Sequence, residues 1–230
     1  MPELSPIRVA FLLFPNVTQL DLTAPAQVLA RLGNTTIDLV AATREPVMSD
    51  AGFALLPTAT FADAVQPDIL CVPGGQGVDD ALLDAATMAW VARVAPGATW
   101  ITSVCTGALL LGAGGLLRGY QATTHWAAHQ YLAGFGAVPV KQRIVFDRNR
   151  VTGGGVTAGI DFALALTAAI RGEAHARLVQ LSLEYDPQPP FDSGSPERAD
   201  AATLERHAEM SATASARRAE RMAEALRRMT

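Results

Sequence analysis

The sequence predicts a three-layer α/β sandwich, in which a mostly parallel sheet lies between two layers of helices. Short apolar runs alternate along the chain with longer segments of helical periodicity, which is the pattern of strand–helix–strand units. With 230 residues, half of them hydrophobic, the chain is long enough to bury the core of one large domain. In such folds the ligand site lies at the carboxyl ends of the parallel strands.

The predicted elements follow this alternation from the N-terminus. Strands are expected at residues 7–14, 36–42, 53–56, 69–72, 100–105 and 122–126, and helices at residues 22–32, 79–95, 107–112 and 157–169. Residues 144–146 and 150–152 flank a polar turn and predict a β-hairpin.

The C-terminal part of the chain has a different composition. Residues 1–185 form the predicted α/β domain, and residues 186–230 form a Pro-rich connector followed by one helix, which begins near residue 197. We expect this helix to pack on the domain or on a partner subunit. Glu220 and Glu224 alternate with its arginines at helical spacing, which favours a solvated, ion-paired face over a nucleic-acid-binding arm.

Composition excludes several classes of partner. Charged residues make up 17% of the chain and the net charge is −4, so there is no basic field for nucleic acid. No apolar run reaches the length of a membrane span, and the N-terminus does not have the pattern of a signal peptide. Two cysteines fit a reduced compartment better than a disulfide scaffold, so the sequence predicts a cytoplasmic protein.

Residues 103–107 (SVCTG) have the layout of a nucleophile elbow with sulfur in place of oxygen. An apolar strand leads to Cys105, a turn follows, and Gly107 lets the backbones approach closely. The amides and positive dipole end of the next helix would favour the thiolate form of Cys105. A buried structural cysteine at a strand end is the alternative, and this segment alone does not decide between the two.

Asp21 lies beyond the first predicted strand and directly before the helix predicted at residues 22–32. Its structural interpretation is a helix N-cap, for which Asp is a preferred residue. Its functional interpretation is a proton donor, because the carboxyl end of the first strand is close to Cys105 in a doubly wound sheet. A carboxyl next to a thiolate in an apolar pocket has a raised pKa, which suits that role.

Three other features of the sequence bear on its chemistry. Residues 74–77 (GGQG) lack the lysine of a P-loop and the acidic residue of a dinucleotide site, so we expect a backbone-amide cradle beside Cys105. His125 and His129 are four residues apart, but no third ligand accompanies them, so no metal site is predicted. Cys71 lies inside an apolar strand and is expected in the core.

Together, these segments resemble the ThiJ/PfpI superfamily, whose members have the class I glutamine amidotransferase-like, flavodoxin-like fold. The resemblance rests on residues 11–15 (FLLFP) with 19–21 (QLD), 72–75 (VPGG), 103–107 (SVCTG), 122–126 (ATTHW) and 152–161 (TGGGVTAGID). The sensor domains of AraC-type regulators share several of these segments but continue into a DNA-binding domain. This chain ends without one, which favours a stand-alone enzyme.

The resemblance implies roles for individual residues. Cys105 matches the family's nucleophile, and Asp21 matches the acidic residue that contacts it, although many members have Glu there. Thr106 stands where the family's proteases have His, which argues against proteolysis. Further matches are Gly75 and Thr106 as backbone-amide donors, His125 as a histidine near the nucleophile, and Gly154 and Val156 as residues that pack against the nucleophile from the following helix.

Within the superfamily, nearly the whole chain is similar to the isocyanide hydratases. This similarity implies a homodimer that hydrates small isocyanides to N-substituted formamides through a covalent Cys105 thioimidate, with no metal or organic cofactor. An apolar pocket is expected, with Trp126 and Phe14 as candidate lining residues. Two alternatives remain open: dicarbonyl hydration of the glyoxalase type, which would favour Glu at position 21, and a redox-sensing or ligand-binding module.

Overall fold

A seven-stranded, mostly parallel sheet forms the middle layer, as the alternating pattern predicts. The structure is a computed structural model and describes residues 4–229. Part of the interpretation of the N-terminus therefore rests on residues 1–3, outside the described residues. The strands are β1 (Ile7–Leu12), β2 (Thr35–Ala41), β3 (Val47–Met48), β4 (Ala54–Leu55), β5 (Ala59–Thr60), β6 (Ile69–Val72), β7 (Trp100–Val104), β8 (Gln121–Ala122), β9 (Val138–Pro139), β10 (Ile144–Asp147) and β11 (Arg150–Gly153).

The order of strands in the main sheet is β10-β11-β7-β6-β1-β2-β5. Every neighbouring pair is parallel except β10 and β11, which form the predicted antiparallel hairpin. Because the carboxyl ends of β1, β6 and β7 lie at one edge, the segments after Leu12, Val72 and Val104 come together there.

Helices cover the sheet and complete the predicted flavodoxin-like sandwich. They are α1 (Gln19–Leu29), α2 (Val78–Ala81), α3 (Ala85–Val94), α4 (Gly107–Ala113), α5 (Ala158–Arg171), α6 (Glu173–Ser182) and α7 (Ala201–Arg228). Short 3-10 helices occupy Ala95–Gly97, Trp126–Tyr131 and Ala133–Phe135. One group of helices (α1, α5 and α6) packs together, and α2 packs against both α4 and α7. Large side chains from strands and helices fill the core, among them Phe11, Leu70, Trp90, Leu109 and Phe162.

Several predicted boundaries were wrong for local reasons. The helix expected at residues 79–95 is two helices, because the Asp84 side chain accepts a hydrogen bond from the Thr87 N–H and caps a new helix, α3. The strand expected at residues 122–126 ends at Ala122. Three residues after the end of this strand, His125 Nδ1 accepts a hydrogen bond from the Ala127 N–H at 3.3 Å and caps the 3-10 helix that begins at Trp126. Helix α6 was not predicted.

The second half of α7 packs on its own domain. Met222 and Ala225 are buried, and Leu226 lies over Gly134. The arginines of this helix do not form only a solvated, self-paired face, because Arg217 and Arg218 pair with Asp80 and Asp79 of α2. Residues 201–216 contribute no buried side chain, so packing across a subunit boundary stays a prediction for that half alone.

Among the helices within residues 4–229, none combines the length and the apolar composition that a membrane span requires.

Candidate active site

Cys105 occupies a sharp turn between β7 and α4, as the elbow pattern predicts. Its φ is +55°, a left-handed conformation that is unusual for a residue with a side chain. The surrounding backbone holds this turn. The Cys105 N–H donates to the carbonyls of Gly153 and Gly154 at 3.1 and 2.7 Å. The Thr124 hydroxyl donates to the Cys105 carbonyl at 2.7 Å. The cysteine is 6% exposed, so it is presented within a nearly closed site.

Asp21 is not the N-cap of α1. The helix begins at Gln19 with Thr18 at the N-cap position, which places Asp21 in the first turn, facing inward. It is 1% exposed, and its Oδ2 accepts a hydrogen bond from the Gly74 N–H at 3.0 Å. The other carboxylate oxygen, Oδ1, has no hydrogen-bond partner among residues 4–229. A buried carboxyl oxygen without a partner is costly for a structural residue, which favours the functional interpretation.

Gly74 is the point where Asp21, Cys105 and Thr106 come closest together. A Cβ at this position would lie 2.6 Å from the Thr106 nitrogen, 2.7 Å from Asp21 Oδ2 and 2.8 Å from Cys105 Cβ. No larger residue fits without displacing the carboxyl and the thiol from each other. Sequence reasoning expected a backbone-amide cradle in this loop but not the need for a glycine at position 74, because that need comes from three segments distant in sequence.

Burial controls the protonation of the pair. Desolvation raises the pKa of Asp21 to about 7, and the Cys105 thiol and the Gly74 N–H oppose this shift. Burial and the neighbouring Asp21 raise the pKa of the Cys105 thiol well above its usual range, although the Thr106 N–H acts in the opposite direction. The Thr106 amide favours the thiolate as expected, but desolvation and the Asp21 charge outweigh it and raise the pKa of the Cys105 thiol.

The two predicted amide donors, Gly75 and Thr106, differ in whether their N–H group is directed at the Cys105 sulfur. The Gly75 N–H donates to Thr106 Oγ1 at 3.0 Å, and that hydroxyl donates back to the Gly75 carbonyl at 3.2 Å. This reciprocal pair closes the glycine loop onto the start of α4. The Thr106 N–H, in contrast, interacts with the Cys105 sulfur. Of the two expected amides, Thr106 is the one directed at the nucleophile here.

Of Gly154, Val156 and His125, Gly154 is the residue seen in contact with Cys105. Gly154 binds the Cys105 backbone directly, and Val156 is half-buried against the core. Both precede α5, which begins at Ala158, so they do not lie in the helix. The His125 ring lies 3.3 Å from the point that a Cβ on Gly155 would occupy. Burial first, and then the charges of Arg218 and His207, lower the pKa of His125, which favours its neutral form.

Sequence reasoning missed the contribution of Thr124 to the site. Thr124 lies within the quoted ATTHW segment, but only the bend of the chain after Ala122 shows that its hydroxyl reaches the Cys105 carbonyl.

Among residues 4–229 no group of three or more His, Cys, Asp or Glu side chains is arranged to hold a metal ion.

Comparison with known proteins places this architecture in a family. The model of the DJ-1/PfpI family matches residues 7–169. The isonitrile hydratase of Pseudomonas putida is 52% identical over 199 residues, which are 86% of this chain and 87% of that protein. The HTH-type transcriptional regulator GbdR of Pseudomonas aeruginosa is 30% identical over 187 residues, but this chain spans only 48% of its length.

A solved structure agrees over nearly the whole chain. The crystal structure of a ThiJ/PfpI family protein from Pseudomonas syringae superposes with a TM-score of 0.92 at 43% identity, and covers 96% of this chain and 92% of that one. That coverage includes most of the C-terminal extension. The resemblance inferred from the sequence motifs is confirmed, and the chain belongs to the DJ-1/PfpI family.

Proposed function

We propose that this protein hydrates isocyanides to N-substituted formamides, with Cys105 as the nucleophile and Asp21 as the proton donor and acceptor. The observation that carries the proposal is the buried pair of Asp21 and Cys105, held together at Gly74. The similarity to an isonitrile hydratase over most of both chains supports the same reaction. The Asp at position 21 also fits this proposal better than dicarbonyl hydration, for which Glu was expected.

The pair shares one proton in its active form. Since the pKa of Asp21 is about 7 and that of Cys105 is higher, the pair loses its first proton near neutral pH. The remaining proton belongs to the pair rather than to either residue. When it resides on Asp21, Cys105 is a thiolate and the neighbouring carboxylic acid is a donor. This is the form that attacks an electrophilic carbon.

The reaction then proceeds in two stages. The Cys105 sulfur bonds to the terminal carbon of R–N≡C, and Asp21 gives its proton to that same carbon, which yields a thioimidate, R–N=CH–S. Asp21, now ionised, takes a proton from a water that attacks the carbon and passes it to the nitrogen. Collapse of the resulting adduct breaks the carbon–sulfur bond, releases R–NH–CHO and returns the hydroxyl proton to the pair. No metal or organic cofactor takes part.

The remaining site residues support this chemistry. Thr106 directs its N–H at the sulfur, Gly75 fixes Thr106, and Gly154 holds the Cys105 backbone. We propose that Val156 and the neutral His125 line the substrate side of the site. An isocyanide has almost no hydrogen-bonding groups, so a largely apolar surround is the complementary environment.

A turnover assay tests the proposed function. Purified protein is incubated with a simple alkyl or aryl isocyanide and, separately, with methylglyoxal, and the products are quantified. We expect formamide from the isocyanide and no hydration product from methylglyoxal. Mass spectrometry of protein trapped during turnover should add the mass of the substrate to the peptide that contains Cys105. Lactate formation without formamide would replace this proposal by the glyoxalase-type activity.

We further propose that the protein is a cytoplasmic homodimer. Residues 201–216 of α7 pack little on their own domain, and Met210 there is 76% exposed. A long helix gains most of its order from packing, so a partner subunit on this half would stabilise it. Leu204→Asp, in the half of α7 without a buried side chain, should weaken the dimer in sedimentation measurements and leave the buried Met222 and Ala225 in place. A full-length protein that is monomeric at micromolar concentration would contradict the proposal.

A further inference from the structure

His207, near the beginning of α7, contacts Trp126. Trp126 lies two residues after Thr124, whose hydroxyl binds the Cys105 carbonyl. The ring centroids of His207 and Trp126 are 5.0 Å apart, and those of Trp126 and His125 are 5.6 Å apart. Trp126 is 43% exposed, an unusual position for so large a ring. Three consecutive rings thus run from the half-buried His125 to the surface, and the outermost one comes from the C-terminal extension.

The position of His207 is determined by an anchor further along the same helix. Arg218 follows it by eleven residues, which is about three full turns, so both side chains project from one face of α7. Arg218 Nε binds Asp79 Oδ1 at 2.8 Å, and the two side chains are only 17% and 4% exposed. An ion pair this buried fixes geometry, since separation would leave a charge unpaired in the interior.

The Arg218–Asp79 ion pair connects α7 to the helix that directly follows the glycine loop, residues 74–77. Asp79 lies in α2, which follows the glycine loop that presents Gly74 to Asp21. The rings are joined to the nucleophile from the other side, because Thr124 binds the Cys105 carbonyl and His125 follows it in the chain. The successive contacts therefore lead from Cys105 through Thr124, His125 and Trp126 to His207.

We propose that His207 and Trp126 form the outer wall of the substrate site and determine how large an isocyanide substituent reaches Cys105. This inference rests on the proposed function for the identity of the ligand. Arg218 and Asp79 are positioning residues that hold α7 against α2 and thereby place His207 beside Trp126. The apolar substituent of an isocyanide suits a wall of ring faces, and the chemistry at its terminal carbon stays with Cys105 and Asp21.

The test compares a small and a bulky substrate. His207→Ala removes the outer ring, and Met210→Ala is the matched control, because it truncates a long side chain of α7 that is 76% exposed. For His207→Ala, the ratio of kcat/KM for cyclohexyl isocyanide to kcat/KM for methyl isocyanide should rise about tenfold, a typical size for pocket-shape discrimination. Trp126→Ala should change the ratio in the same direction. Met210→Ala should leave it at the wild-type value.

A second measurement does not depend on the reaction. Alkylation of Cys105 by iodoacetamide and by the bulkier monobromobimane is followed by mass spectrometry, with Cys105→Ala protein to report any labelling of Cys71. His207→Ala should increase the rate with the bulky reagent relative to the small one. If neither ratio changes, α7 does not line the site and the proposal is overturned. A wild-type protein without isocyanide turnover would contradict the proposed function, and the alkylation ratio would then decide this proposal by itself.

Discussion

Cys71 lies in β6, and Cys105 directly follows the neighbouring strand β7. Both cysteines are buried, and burial is a property often taken to mark a reactive cysteine. Cys71 is 3% exposed within β6, and Cys105 is 6% exposed at the end of β7. Burial raises the pKa of both thiols, that of Cys71 to about 12. Depth in the core therefore does not distinguish the proposed nucleophile from the structural cysteine.

The difference lies in the backbone and in the available proton acceptor. Cys71 is in regular strand and receives a hydrogen bond from the Thr102 hydroxyl at 3.1 Å, a donor that cannot act as a base. Cys105 is at a left-handed turn, with the Asp21 carboxyl and the Thr106 N–H directed at it. A buried thiol becomes useful when a titratable group beside it can take and return one proton.

The largest expected effect is on turnover, which replacement of Cys105 should abolish and replacement of Cys71 should not. Cys105→Ala should abolish formamide production, because only its sulfur can form the covalent intermediate. Cys71→Ala, the matched control, should retain activity and lose about 1 kcal/mol of the free energy of unfolding for the buried group removed. Steady-state turnover and urea unfolding of both variants measure this. A Cys105→Ala protein that keeps a tenth of wild-type turnover would refute covalent catalysis by this residue.

Removal of the proton acceptor should be the next largest effect. Asp21→Asn keeps the size of the side chain but cannot exchange a proton at neutral pH, so turnover should fall about a hundredfold or more. Asp21→Glu should be impaired less, because its carboxyl is displaced by one methylene. Since Asp21 is not the cap of α1, the Asn variant should keep its helix content in circular dichroism. Near-wild-type turnover of the Asn variant would remove Asp21 from the mechanism.

The pH dependence should report the same carboxyl. Below its pKa of about 7, Asp21 and Cys105 are both protonated, so kcat/KM should fall about tenfold for each further pH unit. At high pH the pair loses its second proton and kcat/KM should fall again. Asp21→Asn should remove the limb near pH 7. A wild-type profile that is flat between pH 5 and 8 would contradict the shared-proton form.

Stability should change with pH in the direction that the raised pKa requires. Between the ordinary Asp value of 3.8 and about 7, the folded protein holds a proton on Asp21 that the unfolded chain has lost. The free energy of unfolding therefore falls as pH rises through this window, by up to about 4 kcal/mol from this group. Relative to wild type, Asp21→Asn should become progressively more stable from pH 4 to pH 7.5 in urea unfolding.

The smallest effect should come from the structural cysteine's partner. Thr102→Val removes a hydroxyl that contacts Cys71 and also donates to the Leu70 carbonyl at 3.0 Å. The expected loss is about 1 kcal/mol of the free energy of unfolding, and turnover should not change. A large loss of turnover in this variant would mean that the two cysteines are coupled, and the contrast between them would then not hold.

The sequence by itself determined the layered fold, the hairpin of β10 and β11, and the placement of Cys105 at a strand–helix turn. These follow from local patterns: apolar runs, helical periodicity and the small residues of SVCTG. Family motifs also pointed to Asp21 as the partner of Cys105. Helix boundaries could not be predicted as well from the sequence, because capping by Asp84 and His125 depends on how the chain enters each turn.

Only the tertiary structure decided the electrostatics and the surroundings of the site. Helix amides beside Cys105 suggested a thiolate, but burial next to Asp21 raises the thiol's pKa instead, and burial is a property of the packed whole. The need for a glycine at position 74 arises from three segments that meet there. His207 contacts Trp126, and Arg218 of the same helix pairs with Asp79 across a sequence separation of 139 residues; no local pattern encodes either contact.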